Sequence, residues 1–303
     1  MNQPLAYLNG ELLPESQLTL PVYDLGFVQG VAVSEQLRTF GGELFRLDEH
    51  LRRLGRSLEI VGLSEQFSLP QLADAAKTLV AKNRTRLHAA DDLGLSLFVT
   101  PGPYPTFAPA NSGGVTVGMH TYPLPFHLWA DKYLQGQQLV VSRVRQVPDV
   151  CWPPELKCRS RMHYYLADRE AASAVPDARA ILLNGDEEVL ETSTANIIAY
   201  VPGSGLISPP REAILPGVSV AVVEQLAAQL GLPFLHRTLS VNELNAADEV
   251  LLTSTSPCVW HVAAVNQQPI GNGPGAVFRQ LLAAWSELVG VDIQGQAARF
   301  RDR

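Results

Sequence analysis

The sequence predicts an α+β fold, in one large or two closely joined domains, on three observations. Its 303 residues, 46% hydrophobic and 17% charged, are enough for a sizeable core. Apolar residues recur at helical spacing in both halves, between segments with strand and turn character. These elements are mixed without the regular βαβ alternation of a parallel sheet. No period of roughly 20 to 50 residues repeats, which sets solenoids and propellers aside.

Taken in order, Tyr7-Leu8 and Leu12-Leu13 flank Asn9-Gly10, a pair suited to positive φ, so the chain opens on a hairpin. Leu47, Leu51, Leu54, Leu58 and Val61 form the apolar stripe of a helix that Asp48 helps to begin, with Glu49, Arg53 and Arg56 on its other face. Ser68 caps a second helix with Leu72, Ala75, Ala76, Leu79 and Val80 inward. From Gly102 to His127 proline and glycine are frequent, interrupted by one short strand, Val115-Thr116-Val117. A domain junction is placed there: residues 1–122 form a small N-terminal domain, 123–134 a linker and 135–303 a larger domain. In the larger domain Met162 to Ala174 reads as a helix. Ala178 to Leu183 and Glu188 to Leu190 form a hairpin around Asn184-Gly185-Asp186, and Asn196 to Val201 is a further strand. Ser219 precedes a helical stripe of Val222, Val223, Leu226 and Leu230 closed by Gly231, and Val277, Leu281, Trp285 and Leu288 mark the last helix.

Composition narrows the function. With 23 Lys plus Arg against 30 Asp plus Glu, a net charge of -7 repels polyanions, so nucleic acid is not the expected partner. The start, Met-Asn-Gln-Pro-Leu-Ala-Tyr, lacks a basic region followed by an apolar stretch, and no segment has the roughly 18 apolar residues of a membrane span. A cytoplasmic protein without membrane contact is expected. Cys151, Cys158 and Cys258 match neither a disulfide framework nor a zinc ribbon, and the seven dispersed histidines form no metal motif, so no metal is expected.

Chemistry concentrates at three places. Among four lysines, Lys77 and Lys82 lie on a polar helix face and Lys132 near the junction, leaving Lys157 as the one that enters an apolar half-domain. An amine withdrawn from water loses the hydration of its charged form and is available to attack an aldehyde. Spacing alone favours a surface lysine at a helix start. Leu215-Pro216-Gly217-Val218-Ser219 leads into a helix, where outward amides, the helix dipole and the Ser219 hydroxyl suit a phosphate; an ordinary N-cap is the other reading. Thr253 to Ser256 supply four hydroxyls after an apolar strand, for an anion or for their own turn. Glu191, amid apolar residues and small hydroxyls, either stands in water at a strand end or is buried and needs a cation such as a protonated pyridine.

In this order, Asp24 to Gly30, Glu35 to Arg38, Leu47 to Leu54, the Lys157 and Glu191 segments, Ile214 to Ser219, Ala247 to Glu249 and Thr253 to Thr255 resemble the class IV, fold-type IV, pyridoxal phosphate enzymes. These include branched-chain and D-amino acid aminotransferases and aminodeoxychorismate lyase. The resemblance spans nearly the whole chain. It implies a smaller N-terminal α/β domain and a larger C-terminal pseudo-barrel domain with pyridoxal 5'-phosphate between them, in a homodimer. It further implies an enzyme that moves an amino group between an amino acid and a 2-oxo acid. A lyase releasing pyruvate and an aromatic amine, and a cofactor-binding protein without turnover, are the alternatives.

Carried over by position, the resemblance implies that Lys157 holds the cofactor as a Schiff base and moves the substrate proton, while Glu191 pairs with the ring nitrogen. Arg53, from His50-Leu51-Arg52-Arg53-Leu54, would bind the phosphate with Gly217, Val218, Ser219 and Thr255. Ser254 and Thr194 are further phosphate or substrate contacts, and Leu215 would lie against the ring. Two departures bear on the substrate. The family's Tyr-x-Arg strand before the glycine is here Gly94-Leu95-Ser96-Leu97-Phe98-Val99-Thr100-Pro101, without arginine. The lysine is followed by Cys158-Arg159-Ser160-Arg161-Met162-His163-Tyr164. One of Arg38, Arg159 and Arg161 is therefore expected to bind a substrate carboxylate, and Tyr164 or His163 to approach the cofactor hydroxyl.

Overall fold

The opening hairpin forms as its turn chemistry requires. Leu5–Leu8 (β1) and Glu11–Pro14 (β2) pair antiparallel, and Asn9 and Gly10 take positive φ of 49° and 101°, as a two-residue turn matched to strand twist demands. The computed structural model describes residues 3–303; Met1 and Asn2, the first two residues of the stretch searched for a leader, lie outside the described residues. No helix among the described residues is long and apolar enough to cross a membrane.

The described residues form two compact units. The first extends to Leu124 and takes in Leu156–Ser160; the second comprises Pro125–Glu155 and Arg161–Arg303. In the first unit the hairpin is followed by α1 (Leu25–Val28), β3 (Val33–Phe40), β4 (Glu43–Leu44), α2 (Leu47–Ile60), α3 (Leu69–Arg84), β5 (Leu93–Thr100) and β6 (Thr116–Pro123). Its sheet has the order β2-β1-β6-β5-β3-β4. Alternation along β3, β5 and β6 turns Val33, Leu37, Leu95, Leu97, Val99, Val117 and Met119 onto one face. There they meet Leu47, Leu51, Leu54 and Leu58 of α2 and Leu72, Ala76 and Leu79 of α3. Each fully buried leucine in this layer contributes about 1.5–3 kcal/mol.

The last strand of this unit corrects the expectation of a short strand at 115–117. It runs to Pro123, with Gly94 opposite Tyr122 and Leu93 opposite Pro123. The missing N–H of Pro123 costs nothing there, because β1 pairs with β6 only over residues 118–120. Leu156–Ser160, expected within the larger domain, instead joins the first unit by an antiparallel bridge between Cys158 and Val33.

The second unit contains α4 (Lys132–Gln135), β7 (Gln137–Val141), α5 (Met162–Ala174), β8 (Arg179–Leu183), β9 (Val189–Thr192), β10 (Asn196–Val201), β11 (Gly205–Ser208), α6 (Val218–Gln229), β12 (Phe234–His236), α7 (Val241–Ala246), β13 (Glu249–Ser254), β14 (Cys258–Val265), β15 (Gln268–Pro269), α8 (Ala276–Val289) and α9 (Ile293–Arg299). Neighbouring strands run β10-β13-β14-β7-β8-β9, and β9 returns to β10 through the pair Glu191 and Asn196, so six strands close on themselves. This is the barrel-like element of the fold. Helix α5 packs on β8, α6 on β13, and α8 on β14. In the stretch 123–134, Phe126 and Tyr133 are buried, and Tyr133 donates to the Pro257 carbonyl at 2.7 Å.

Candidate active site

In the first unit, helix α2 presents His50, Arg53 and Ser57 at spacings of three and four, hence on one side. Glu35 of β3 meets that side from the sheet. Arg53 grips it with two parallel bonds, Nε to Oε1 and Nη2 to Oε2, both 2.8 Å, and His50 Nδ1 lies 2.8 Å from Oε2. Burial alone would raise the Glu35 carboxyl; the charge and hydrogen bonds of Arg53, and then of His50, hold it well below the usual carboxylate range. His50 in turn is held below its ordinary value by its own burial, against the attraction of Glu35. The arginine is thus not a solvated side chain on the polar face of the helix; its side chain is 8% exposed.

Lys157 is in this unit too. Its backbone is fixed on both sides, with N–H donated to Ser57 Oγ at 3.2 Å and carbonyl accepting from Ser34 N–H at 2.9 Å, while its side chain is half-buried. Two residues on, Arg159 N–H donates to the Ala32 carbonyl at 2.7 Å, and its guanidinium donates to Ser96 Oγ at 2.8 Å. Arg38 does not share this exposure. It is 1% exposed, lies 3.9 Å over the Phe40 ring and donates to the Thr39 carbonyl, so a solute cannot reach it.

In the second unit, Glu191 of β9 is 5% exposed, which settles its two sequence readings in favour of burial. The Tyr164 hydroxyl and the Gln146 amide each donate to Oε1 at 2.6 Å, and the Asn196 amide approaches Oε2 at 3.5 Å. Burial pushes this carboxyl up, against bonds from Tyr164 and the Leu215 backbone and the charge of Arg161. Tyr164, in the first turn of α5, is thereby a partner of Glu191. Arg161 donates to the Ser193 carbonyl and lies 4.9 Å from the Tyr164 ring.

Asn196 joins Glu191 to the start of α6. Its amide also donates to the Leu215 carbonyl at 3.1 Å, and a Cβ on Gly217 would lie 2.2 Å from its Oδ1. Gly217, not Ser219, is the N-cap residue. No side chain caps the helix, and Val218 and Ser219 are its first two residues, with Ser219 buried at 7% exposure. Thr253 of β13 pairs with Asn196, so Ser254, which ends the strand, and Thr255, which begins the turn after it, follow directly. Thr194 stands apart from this set: it is exposed and accepts from Arg179.

The structure therefore gathers Glu191, Tyr164, Leu215, Gly217, Val218 and Ser219 in one unit, and Arg53, Lys157 and Arg159 in the other. Sequence reasoning missed Gln146 and Asn196 as Glu191 donors and Glu35 as the clamp on Arg53. Neutral amides carry no pattern, whereas the three-residue spacing of His50 and Arg53 held the signal for a shared partner.

The model of the family described as amino-transferase class IV matches residues 32–265. D-alanine aminotransferase of Bacillus licheniformis is 32% identical over 282 residues, 91% of this chain and 94% of that protein. Among solved structures, the branched-chain amino acid aminotransferase of Escherichia coli superposes with a TM-score of 0.86 at 22% identity, over 95% of both chains. A putative branched-chain amino acid aminotransferase of Thermotoga maritima gives 0.76 at 28% identity, over 94% of this chain and 95% of that one. The barrel-like second unit is thus that of fold-type IV, and the chain belongs to the class IV aminotransferases, enzymes that move an amino group between an amino acid and a 2-oxo acid.

Proposed function

We propose that this aminotransferase works with pyridoxal 5'-phosphate, that Lys157 is the amine that attaches it, and that Glu191 pairs with its ring nitrogen. The observation that carries the reading is Glu191, a buried carboxyl given hydrogen bonds by a phenol and two amides and raised by its burial. A protonated pyridine nitrogen supplies the cation that such a group lacks among these donors. The donor set fits in two further respects. Nε2 of His163, beside Tyr164, is buried with no hydrogen-bond partner. The approach to α6 at Gly217 leaves no room for a side chain.

When bound, the cofactor supplies an aldehyde carbon that captures amines and a ring that takes up the electrons released at the substrate α-carbon. The protein does the rest. Lys157 Nζ moves the proton at the α-carbon, from a backbone held between β3 and α2. Glu191, ionised beside the ring, keeps the proton on the ring nitrogen. Arg53, oriented by Glu35, binds the phosphate with the Val218 and Ser219 amides, the Ser219 hydroxyl and Thr255; Ser254 adds a hydroxyl, and Leu215 covers a ring face. A homodimer in the cytoplasm completes the reading, with exposed Val22, Phe27 and Phe107 as apolar surface for a second copy.

The D-alanine aminotransferase at 32% identity makes D-alanine the first donor to try. Pure protein loaded with pyridoxal phosphate is mixed with D- and L-amino acids, and the visible absorbance of the cofactor is followed before pyruvate or 2-oxoglutarate is added. The reading expects absorbance to fall with a donor and return with an acceptor. Repeated turnover to pyruvate, well beyond one equivalent per site, with no acceptor present and the aldehyde absorbance retained, would replace it with a lyase.

A further inference from the structure

The sheet of the first unit has a second face, opposite the leucine layer, and it is polar. Register places Gln36 of β3, Ser96 of β5 and His120 of β6 abreast, with Arg38, Gly94 and Tyr122 in the next row. At Gly94 the middle strand offers no side chain, and the Tyr122 ring occupies the space: a Cβ on Gly94 would lie 2.1 Å from Tyr122 Cζ. The Gln36 amide donates to the Tyr122 hydroxyl, which fixes the ring from β3. Beside this row the Arg159 guanidinium reaches Ser96 Oγ at 2.8 Å. Arg159 is exposed, and Gln36, His120 and Tyr122 are half-buried, so the group is open to a solute.

We propose that Arg159, flanked by Tyr122, His120 and Gln36, binds a carboxylate of the amino acid and 2-oxo acid substrates. A guanidinium pairs with a carboxylate through two parallel bonds, and a phenol, an amide and an imidazole add neutral donors. His120 suits the neutral role. Burial, opposed by Glu15 and reinforced by the Arg159 charge, keeps its imidazole below the ordinary value. Glu15 lies 3.8 Å from His120 Nδ1 at the edge of the group. A carboxylate bound there is held by a residue two positions from Lys157, on the same bridged segment. The assignment therefore rests on Lys157 as the reacting amine. It also separates the three arginine candidates: Arg38 is buried, Arg161 is engaged with Ser193 and Tyr164, and Arg159 faces the open polar row.

The test compares loaded wild type with Arg159→Gln and Tyr122→Phe. Borohydride attachment of the cofactor to Lys157 is measured in each protein. Steady-state constants are then measured for an amino acid, its 2-oxo acid and the corresponding amine without a carboxylate. In Arg159→Gln, KM for both acids is expected to rise on the order of 10- to 100-fold, while kcat/KM for the amine changes less than about threefold. Tyr122→Phe, which loses one hydroxyl, shifts the same KM values several-fold in the same direction. This second variant decides the question if the first does not fold. Unchanged KM for both acids, with normal attachment at Lys157, overturns the carboxylate site and leaves the cofactor reading intact. Failure of attachment in wild type overturns the cofactor reading itself.

Discussion

Two buried glutamates behave in opposite ways, and the difference comes from what each touches. Glu35 is gripped by Arg53 and His50 and held ionised; folding gains from it above the ordinary carboxylate range and loses that gain as pH falls. Glu35→Ala should leave a buried guanidinium without its carboxylate and cost roughly 3–5 kcal/mol in a urea unfolding experiment. Glu191 is raised instead, so the cofactor-free folded chain holds its proton more tightly than the unfolded chain. Its contribution is present below the ordinary value of 4.5 and is lost as pH rises through the folded value. In cofactor-free protein, Glu191→Gln should therefore gain stability relative to wild type as pH rises above the ordinary value of 4.5. In loaded protein the same change should lower kcat on the order of 100-fold, because the amide cannot hold the ring proton by charge. Lys157, Glu191 and Arg53 were legible as types of residue in a recognisable order. Their polar partners were not, since Gln146, Asn196 and Glu35 meet them only through pairing between distant segments.

At the scale of elements, periodicity located the helices at Leu47–Ile60, Leu69–Arg84 and Met162–Ala174, and the Asn-Gly pair located the first hairpin. It misread the start of α6. Ser219 looks like an N-cap by type, but the chain turns into the helix at Gly217, because only a residue without a side chain passes Asn196. Gly217→Ala tests that contact. The added methyl meets Asn196 Oδ1 at 2.2 Å, so a loss of about 1–3 kcal/mol and weaker pyridoxal phosphate binding are expected in thermal unfolding with and without cofactor. Gly185→Ala, where nothing lies within 4 Å, is the control and should stay within about 0.5 kcal/mol. Strand β6 was read too short because Tyr122-Pro123-Leu124-Pro125 has loop composition, and α9 was not foreseen, since Ile293–Arg299 carries too short a stripe.

At the scale of the whole molecule, the α+β class followed from the mixture of patterns, while the closure of six strands rests on a single pair, Glu191 with Asn196, that no local pattern announces. The same holds for Leu156–Ser160, which joins the first unit although the chain on either side belongs to the second. Long-range pairing of this kind is what binary patterning cannot specify. The central claim, that one lysine of four attaches the cofactor, has a direct test. Protein loaded with pyridoxal phosphate is reduced with borohydride, digested and mapped by mass spectrometry. The account predicts that the added mass lies on the peptide containing Lys157 and is absent from those containing Lys77, Lys82 and Lys132. Reduction that leaves Lys157 unmodified, or modifies another lysine in its place, would contradict it.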